Sequence, residues 1–192
     1  MVDIDLSRVR AFKTSDEFYD WLELNHQDSS ELWLQIYKKG SQQPSISWQE
    51  AVRVALCWGW IDSVKMSRDA DSYLQRFTPR RAGSSWSRRN TEHVEALLEE
   101  GLMREAGMLH VRAAQADGRW ASAYAPSSEM ALPPDFLAEL EANPAAKEFF
   151  ETLSKSSRYV IYHRLQTAKQ ADTRQRRLEK FVALLTNREK PT

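Results

Sequence analysis

The sequence predicts an α+β fold: a small antiparallel sheet of about three strands covered by helices, with a helical C-terminal region. Three observations predict it. Leu32, Leu34 and Ile36 alternate with Trp33, Gln35 and Tyr37, a period of two rich in β-favouring aromatics. Two further extended runs, Trp60 to Lys65 and Ser72 to Thr78, flank the turn Arg68-Asp69-Ala70-Asp71. After Gly83 the apolar residues recur only at helical spacing.

Taken in order, Ser15 to His26 reads as a helix with Ser15 at its N-cap and Phe18, Trp21 and Leu22 on one face. Glu31 to Tyr37 is the first strand, and Gly40 to Pro44 a loop. Ser47, with Glu50 three positions on, makes a capping-box pattern for a helix whose apolar face holds Ala51, Val52, Ala55 and Leu56. Gly59 ends that helix. Pro79 halts the strand that begins at Ser72. Ser85 or Ser87 caps a helix carrying Val94, Leu97 and Leu98 up to Gly101, and a second helix runs from about Arg104 to Ala116. The stretch from Ala125 to Pro134, with three prolines and two serines, is a linker. Helices follow over 134–142, 144–154, 156–171 and 172–187, the last with Leu178, Phe181, Val182 and Leu185 on one face. This divides the chain into an N-terminal α/β domain, residues 1–125, and a C-terminal helical module, residues 126–192.

The 192 residues, 42% of them hydrophobic, suffice for one sizeable core or a core with a small appended domain. Seven tryptophans argue against a disordered chain. Formal net charge is zero, but it is segregated: −4 over 1–71, +5 over 72–91, −8 over 92–151 and +6 over 155–180. A wholly basic nucleic-acid binder would look different. The N-terminus is acidic and lacks an apolar signal-peptide core, and no stretch approaches the roughly 18 apolar residues of a membrane span. The expectation is a soluble, cytoplasmic protein without membrane insertion. The single cysteine, Cys57, lies in an apolar run and reads as a buried, unreactive thiol.

The stretch from Cys57 to Asn90 carries the chemistry. Arg76, Arg80, Arg81, Arg88 and Arg89 stand there among Phe77, Thr78, Ser84, Ser85, Trp86 and Ser87, with no acidic residue between Asp71 and Glu92. Guanidinium, hydroxyl and free backbone N–H are the groups that hold phosphate or carboxylate. A Gly83-Ser84-Ser85 loop running into a helix adds the positive end of its dipole. On this reading Arg76, Arg80, Arg81, Ser85, Trp86, Ser87 and Asn90 bind an anion, and Lys169, Arg174 and Arg177 from the second basic block join them. The competing reading makes Ser85 or Ser87 a helix cap and pairs the arginines with Glu92, Glu95 and the acidic helices. Trp58, Trp60, Trp86 and Trp120 form either a stacking platform or, on the reading favoured by their setting, core. Asp62 is the candidate catalytic residue, as a general base; the alternative anchors Arg76 or Arg80.

Sharper chemistries are absent from the sequence. His26, His93, His110 and His163 lack metal-ligand spacing, so no metal is expected. Gly83-Ser84-Ser85-Trp86-Ser87 is not a nucleophile elbow, and there is neither a phosphate loop nor a dinucleotide fingerprint, so no cofactor is implied.

Several motifs together resemble one family. They are Glu31-Leu32-Trp33-Leu34 with Lys38-Lys39, Ala55 to Asp62, Arg76-Phe77-Thr78-Pro79-Arg80, Ser85-Trp86-Ser87 with Asn90, Gly101-Leu102-Met103 with Gly107, Asp117-Gly118-Arg119-Trp120, Ala168-Lys169, and Thr173-Arg174 with Arg177. The chain resembles, over nearly its full length, the bacterial bacteriocin-protection family, also labelled YdeI/OmpD-associated. That resemblance implies an N-terminal α/β part and a C-terminal helical module, and it supplies no catalytic residue or cofactor. The family name implies protection against bacteriocins and association with an outer-membrane porin; the missing export signal argues against the porin partner. The function expected is a non-enzymatic protein binding an anionic small molecule, ahead of a nucleic-acid backbone. An enzyme on a phosphorylated or carboxylated substrate with Asp62 as base, and a protein-interaction module, are the alternatives. Oligomeric state is left open.

Overall fold

A computed structural model describes residues 4–191. Among them a 3-10 turn at Leu6–Arg8 leads into β1 (Val9–Ala11), then α1 (Ser15–Asn25), β2 (Leu32–Tyr37), α2 (Trp48–Cys57), β3 (Trp60–Ser67) and β4 (Ser72–Pro79). Helices α3 (Arg88–Glu99), α4 (Glu105–Ala116), α5 (Pro134–Ala142), α6 (Pro144–Thr152), α7 (Lys155–Gln166) and α8 (Ala171–Thr186) complete the chain. The fold is α+β, with a helical C-terminal region.

The described sheet has four strands in the order β1-β2-β4-β3. The three strands expected from sequence pair antiparallel, Leu32 opposite Phe77 and Asp62 opposite Phe77 from the other side. The fourth, β1, adds a parallel edge to β2, with Val9 opposite Trp33. Three residues are too few for an alternating pattern, so β1 leaves no signature in the sequence.

Local chemistry sets the helix ends. Thr14, one residue before the expected cap, accepts from the Glu17 N–H and starts α1. Ser47 and Glu50 form the complete capping box of α2, each side chain accepting from the other's N–H. Gly59 takes φ +73° to turn α2 into β3, and a Cβ there would lie 2.8 Å from the Ala106 carbonyl oxygen. Gly107 approaches closer still: a Cβ would stand 2.5 Å from the carbonyl oxygens of Leu56 and Cys57. The start of α4 therefore rests on the end of α2, backbone against backbone.

The chain divides into two compact units, one made of 1–84 and 90–122, the other of 85–89 and 123–192. In the first, Phe18 of α1 meets Phe77 of β4 edge-on at 5.6 Å, and both are fully buried. The Trp60 indole N–H donates to the His26 carbonyl at 3.2 Å. In the second, Phe136, Leu140, Phe150, Ile161, Leu165, Leu178, Phe181 and Leu185 build a separate helical core. Leu178, Phe181 and Leu185 in it belong to the apolar face that periodicity predicts for α8.

Candidate functional site

The arginines of the β4 motif sit in different environments. Arg76 is held by Glu31, its Nε 2.7 Å and its Nη2 2.5 Å from Oε2. Glu31 is also 3.5 Å from Arg8. Arg76, exposed Arg81 and the hydroxyl residues Ser30, Ser63, Thr78 and Ser84 line a cleft of about 520 Å³. Arg81 has no carboxylate partner among the described residues. Arg80 is buried, and its N–H donates to the Gly59 carbonyl at 2.8 Å.

Asp62 turns away from that cleft. Its neighbours Ile61 and Ser63 line it, whereas Asp62 Oδ2 accepts from the Trp48 indole of α2 at 3.0 Å. Burial pushes the Asp62 carboxyl up; the Trp48 hydrogen bond and the Arg80 charge oppose the shift without cancelling it. His110, half-buried, is pushed down by burial and then by the charges of Arg80 and Arg119.

Ser85, Trp86 and Ser87 belong to the second unit, and Asn90 to the first. The stretch is backbone-paired: Tyr124 N–H donates to the Trp86 carbonyl at 3.0 Å, and the Arg88 N–H to the Tyr124 carbonyl at 2.9 Å. The Trp86 side chain is buried and Ser87 is half-buried. Arg88 makes an ion pair with Glu129 at 2.7 Å.

The second basic block divides as well. Arg174 pairs with Asp135 of α5, Nη2 to Oδ1 at 2.9 Å with a second, shorter bond beside it. Arg177, one turn on, goes to α7 instead, donating through Nη1 to the Arg164 carbonyl at 2.6 Å. Lys169 is exposed on the α7–α8 connection. Arg164, Arg177, Lys180 and Lys190 then surround a cavity of about 440 Å³ floored by Phe181 and Leu184, with Glu189 the single carboxylate in its wall among the described residues. No ion pair joins any of these four cations to a carboxylate among the described residues. The same field is felt at His163, whose imidazolium is disfavoured by burial first and then by Arg164 and Arg177.

Backbone geometry at the end of α8 brings the last cation round. Arg188 adopts φ +57°, the Glu189 N–H donates to the Leu184 carbonyl at 2.8 Å, and the Arg188 N–H to the Leu185 carbonyl at 3.0 Å. This is a Schellman closure with arginine where glycine is usual. It folds the tail back so that Glu189 and Lys190 reach the wall of the cavity. Arg177 and Lys180 are legible in the sequence as one helix face; Arg164 and Lys190 join them only through the packing of α7 on α8 and this turn.

Comparison with protein families returned two matches. Residues 10–110 match the family described as Domain of unknown function (DUF8412). Residues 129–188 match the bacteriocin-protection, YdeI or OmpD-associated family, the one that the sequence motifs resemble. The second match spans α5 to α8 and all of the cavity lining except Glu189 and Lys190, and most of the N-terminal motifs fall within the first. No curated protein and no solved structure matches the chain.

Proposed function

This chain belongs to the family described as Domain of unknown function (DUF8412), and on that footing we propose that it binds an anionic ligand through the bacteriocin-protection domain at its C-terminal end. The ligand is a phosphorylated small molecule, and the observation that carries the reading is the cavity between α7 and α8. Among the described residues, four cations line it against one carboxylate. A concave site with surplus charge of one sign concentrates counter-ions of the other. Arg177 is pre-positioned by the Arg164 carbonyl, which spends one of its five N–H groups and leaves the rest of the fork for a ligand. Phe181 and Leu184 give the floor an apolar surface against which a phosphate ester can set its organic part.

Binding rather than turnover is the reading, because Asp62, the candidate base, hydrogen-bonds Trp48 within the other unit. The cleft of Arg76 and Arg81 is a second anion site on this proposal, favoured by exposed Arg81, which has no carboxylate partner among the described residues, beside four hydroxyl residues.

Calorimetric titration tests the proposal, with inorganic phosphate, pyrophosphate, a nucleoside triphosphate and a short single-stranded oligonucleotide at low ionic strength. Pyrophosphate or the triphosphate is expected to bind, and Arg164→Ala or Lys180→Ala to weaken it about tenfold, the worth of one charge-assisted hydrogen bond. Tighter binding of the oligonucleotide would shift the ligand class to nucleic-acid backbone. No heat with any anion would sink the proposal.

A further inference from the structure

We infer that the first unit holds a separate pocket for a small carboxylate carried on a compact apolar body, with Arg104 as the residue that receives the carboxylate. The pocket is a cavity of about 330 Å³ between α1, α2, α3 and the α3–α4 connection, at the small end of the usual ligand-site range of roughly 300–1,000 Å³. Val54, Leu97 and Leu102 supply apolar walls, and Tyr19 an aromatic one.

Its charges are sorted in a way that leaves one cation available. Glu50 is engaged in the capping box of α2, accepting from the Ser47 N–H at 2.8 Å. Arg53 is taken by Glu100, whose two carboxylate oxygens lie 2.7 and 2.6 Å from Nη2. Arg104 is exposed and pairs with no carboxylate among the described residues. Aromatic faces hold it instead: its guanidinium carbon lies 5.4 Å from the Tyr19 ring centroid and 5.9 Å from that of Trp58. Those two rings meet edge-on at 5.3 Å, so the guanidinium rests on a rigid aromatic corner. The Arg104 N–H donates to the Cys57 carbonyl at 3.2 Å, which ties its backbone to the end of α2. An arginine set on aromatic faces keeps its N–H edge for a planar bidentate acceptor, and a carboxylate is that acceptor.

Cys57 lines the same cavity but as wall, not nucleophile. Burial pushes its thiol up to about 11, and the sulfur donates to the Arg53 carbonyl at 3.4 Å. Asp16, on the first turn of α1, is the remaining carboxylate of the rim, and it makes no ion pair among the described residues. It decides between two sources of the same chemistry: a plain carboxylic acid, which it repels, and an apolar amino acid, whose ammonium it attracts.

The test is calorimetric titration of the full chain with 3-phenylpropanoate, phenylalanine and phenethylamine. At least one of the two carboxylates is expected to bind and the amine, which lacks the carboxylate, not to. Arg104→Met keeps the stem and removes the charge; it should weaken the bound carboxylate about tenfold or more, with an unchanged melting temperature. Leu102→Ser, at an exposed wall position, should weaken it severalfold as a check on the apolar contact. If phenylalanine binds more tightly than 3-phenylpropanoate and Asp16→Asn erases the difference, the ligand is an amino acid. Pyrophosphate, the probe for the α7–α8 cavity, should not compete. Binding of the amine equal to that of the acids, no binding by either acid, or full affinity in Arg104→Met would each overturn the inference.

Discussion

Arg177 on α8 donates through Nη1 to the carbonyl oxygen of Arg164 on α7, 2.6 Å away. Arg164 lies in the last turn of α7, where carbonyls lose their helical partners and the dipole is negative. One arginine thus satisfies a helix end and lines the basic cavity. A lysine at that position has three donors on a single nitrogen and cannot serve both partners in the same planar geometry. Arg177→Lys should therefore keep the melting temperature within a degree or two while lowering pyrophosphate affinity by about three- to tenfold, read by calorimetry. Unchanged affinity would mean that Arg177 serves the helix end alone.

Arg174 carries the opposite expectation. Its hydrogen bonds to Asp135, opposed only in part by burial, hold that carboxyl below its ordinary value. A carboxylate depressed in the folded state adds stability above its unfolded value of 3.8 and loses it as pH falls through the lower folded value. Wild type and Asp135→Asn should differ in melting temperature at pH 7 and converge as the pH is taken below 3. Arg174→Ala should behave like Asp135→Asn and leave anion binding intact. The pair is partly exposed, so the difference should be small, a few degrees at most.

Gly107 sits where α4 crosses the end of α2, with two carbonyl oxygens 2.5 Å from where a Cβ would stand. Backbone cannot yield as a side chain can. Gly107→Ala should destabilise the protein by about 1–3 kcal/mol in denaturant titration, despite alanine's better helix propensity. A stabilised variant would show that the two helices are not held in contact there.

Cys57 is 1% exposed, and its thiol is raised to about 11. At pH 8 it should react with an aromatic disulfide reagent only as fast as the first unit opens, and immediately in denaturant. Fast labelling of the native protein would reveal an accessible thiolate and a reactive role.

Much of the fold was legible because it rests on local signals. The alternation of Leu32, Leu34 and Ile36 marks β2, and Ser47 with Glu50 marks the start of α2. Pro134 starts α5 where expected, and Leu178, Phe181 and Leu185 of the predicted α8 face lie in the helical core. The candidate sites were less legible, because partners are chosen by packing. Arg174 and Arg177 are three residues apart on one helix, yet one pairs with α5 and the other with α7. Arg104 carries no motif at all; its setting on Tyr19 and Trp58 joins positions 85 and 46 residues away. The pairing of Trp86 with Tyr124 is of the same kind, a long-range choice made by backbone groups that any sequence possesses.

That pairing also constrains how such a protein can be inherited. Residues 85–89 lie within the N-terminal half of the chain but belong to the second compact unit, so the chain passes between units three times. A gene break in the proline-containing connection after α4 would leave Trp86 on the wrong product and both products incomplete. The two family-matched stretches are therefore not interchangeable cassettes in this chain. Recombination that moves the C-terminal helices elsewhere must find a substitute for five residues it leaves behind.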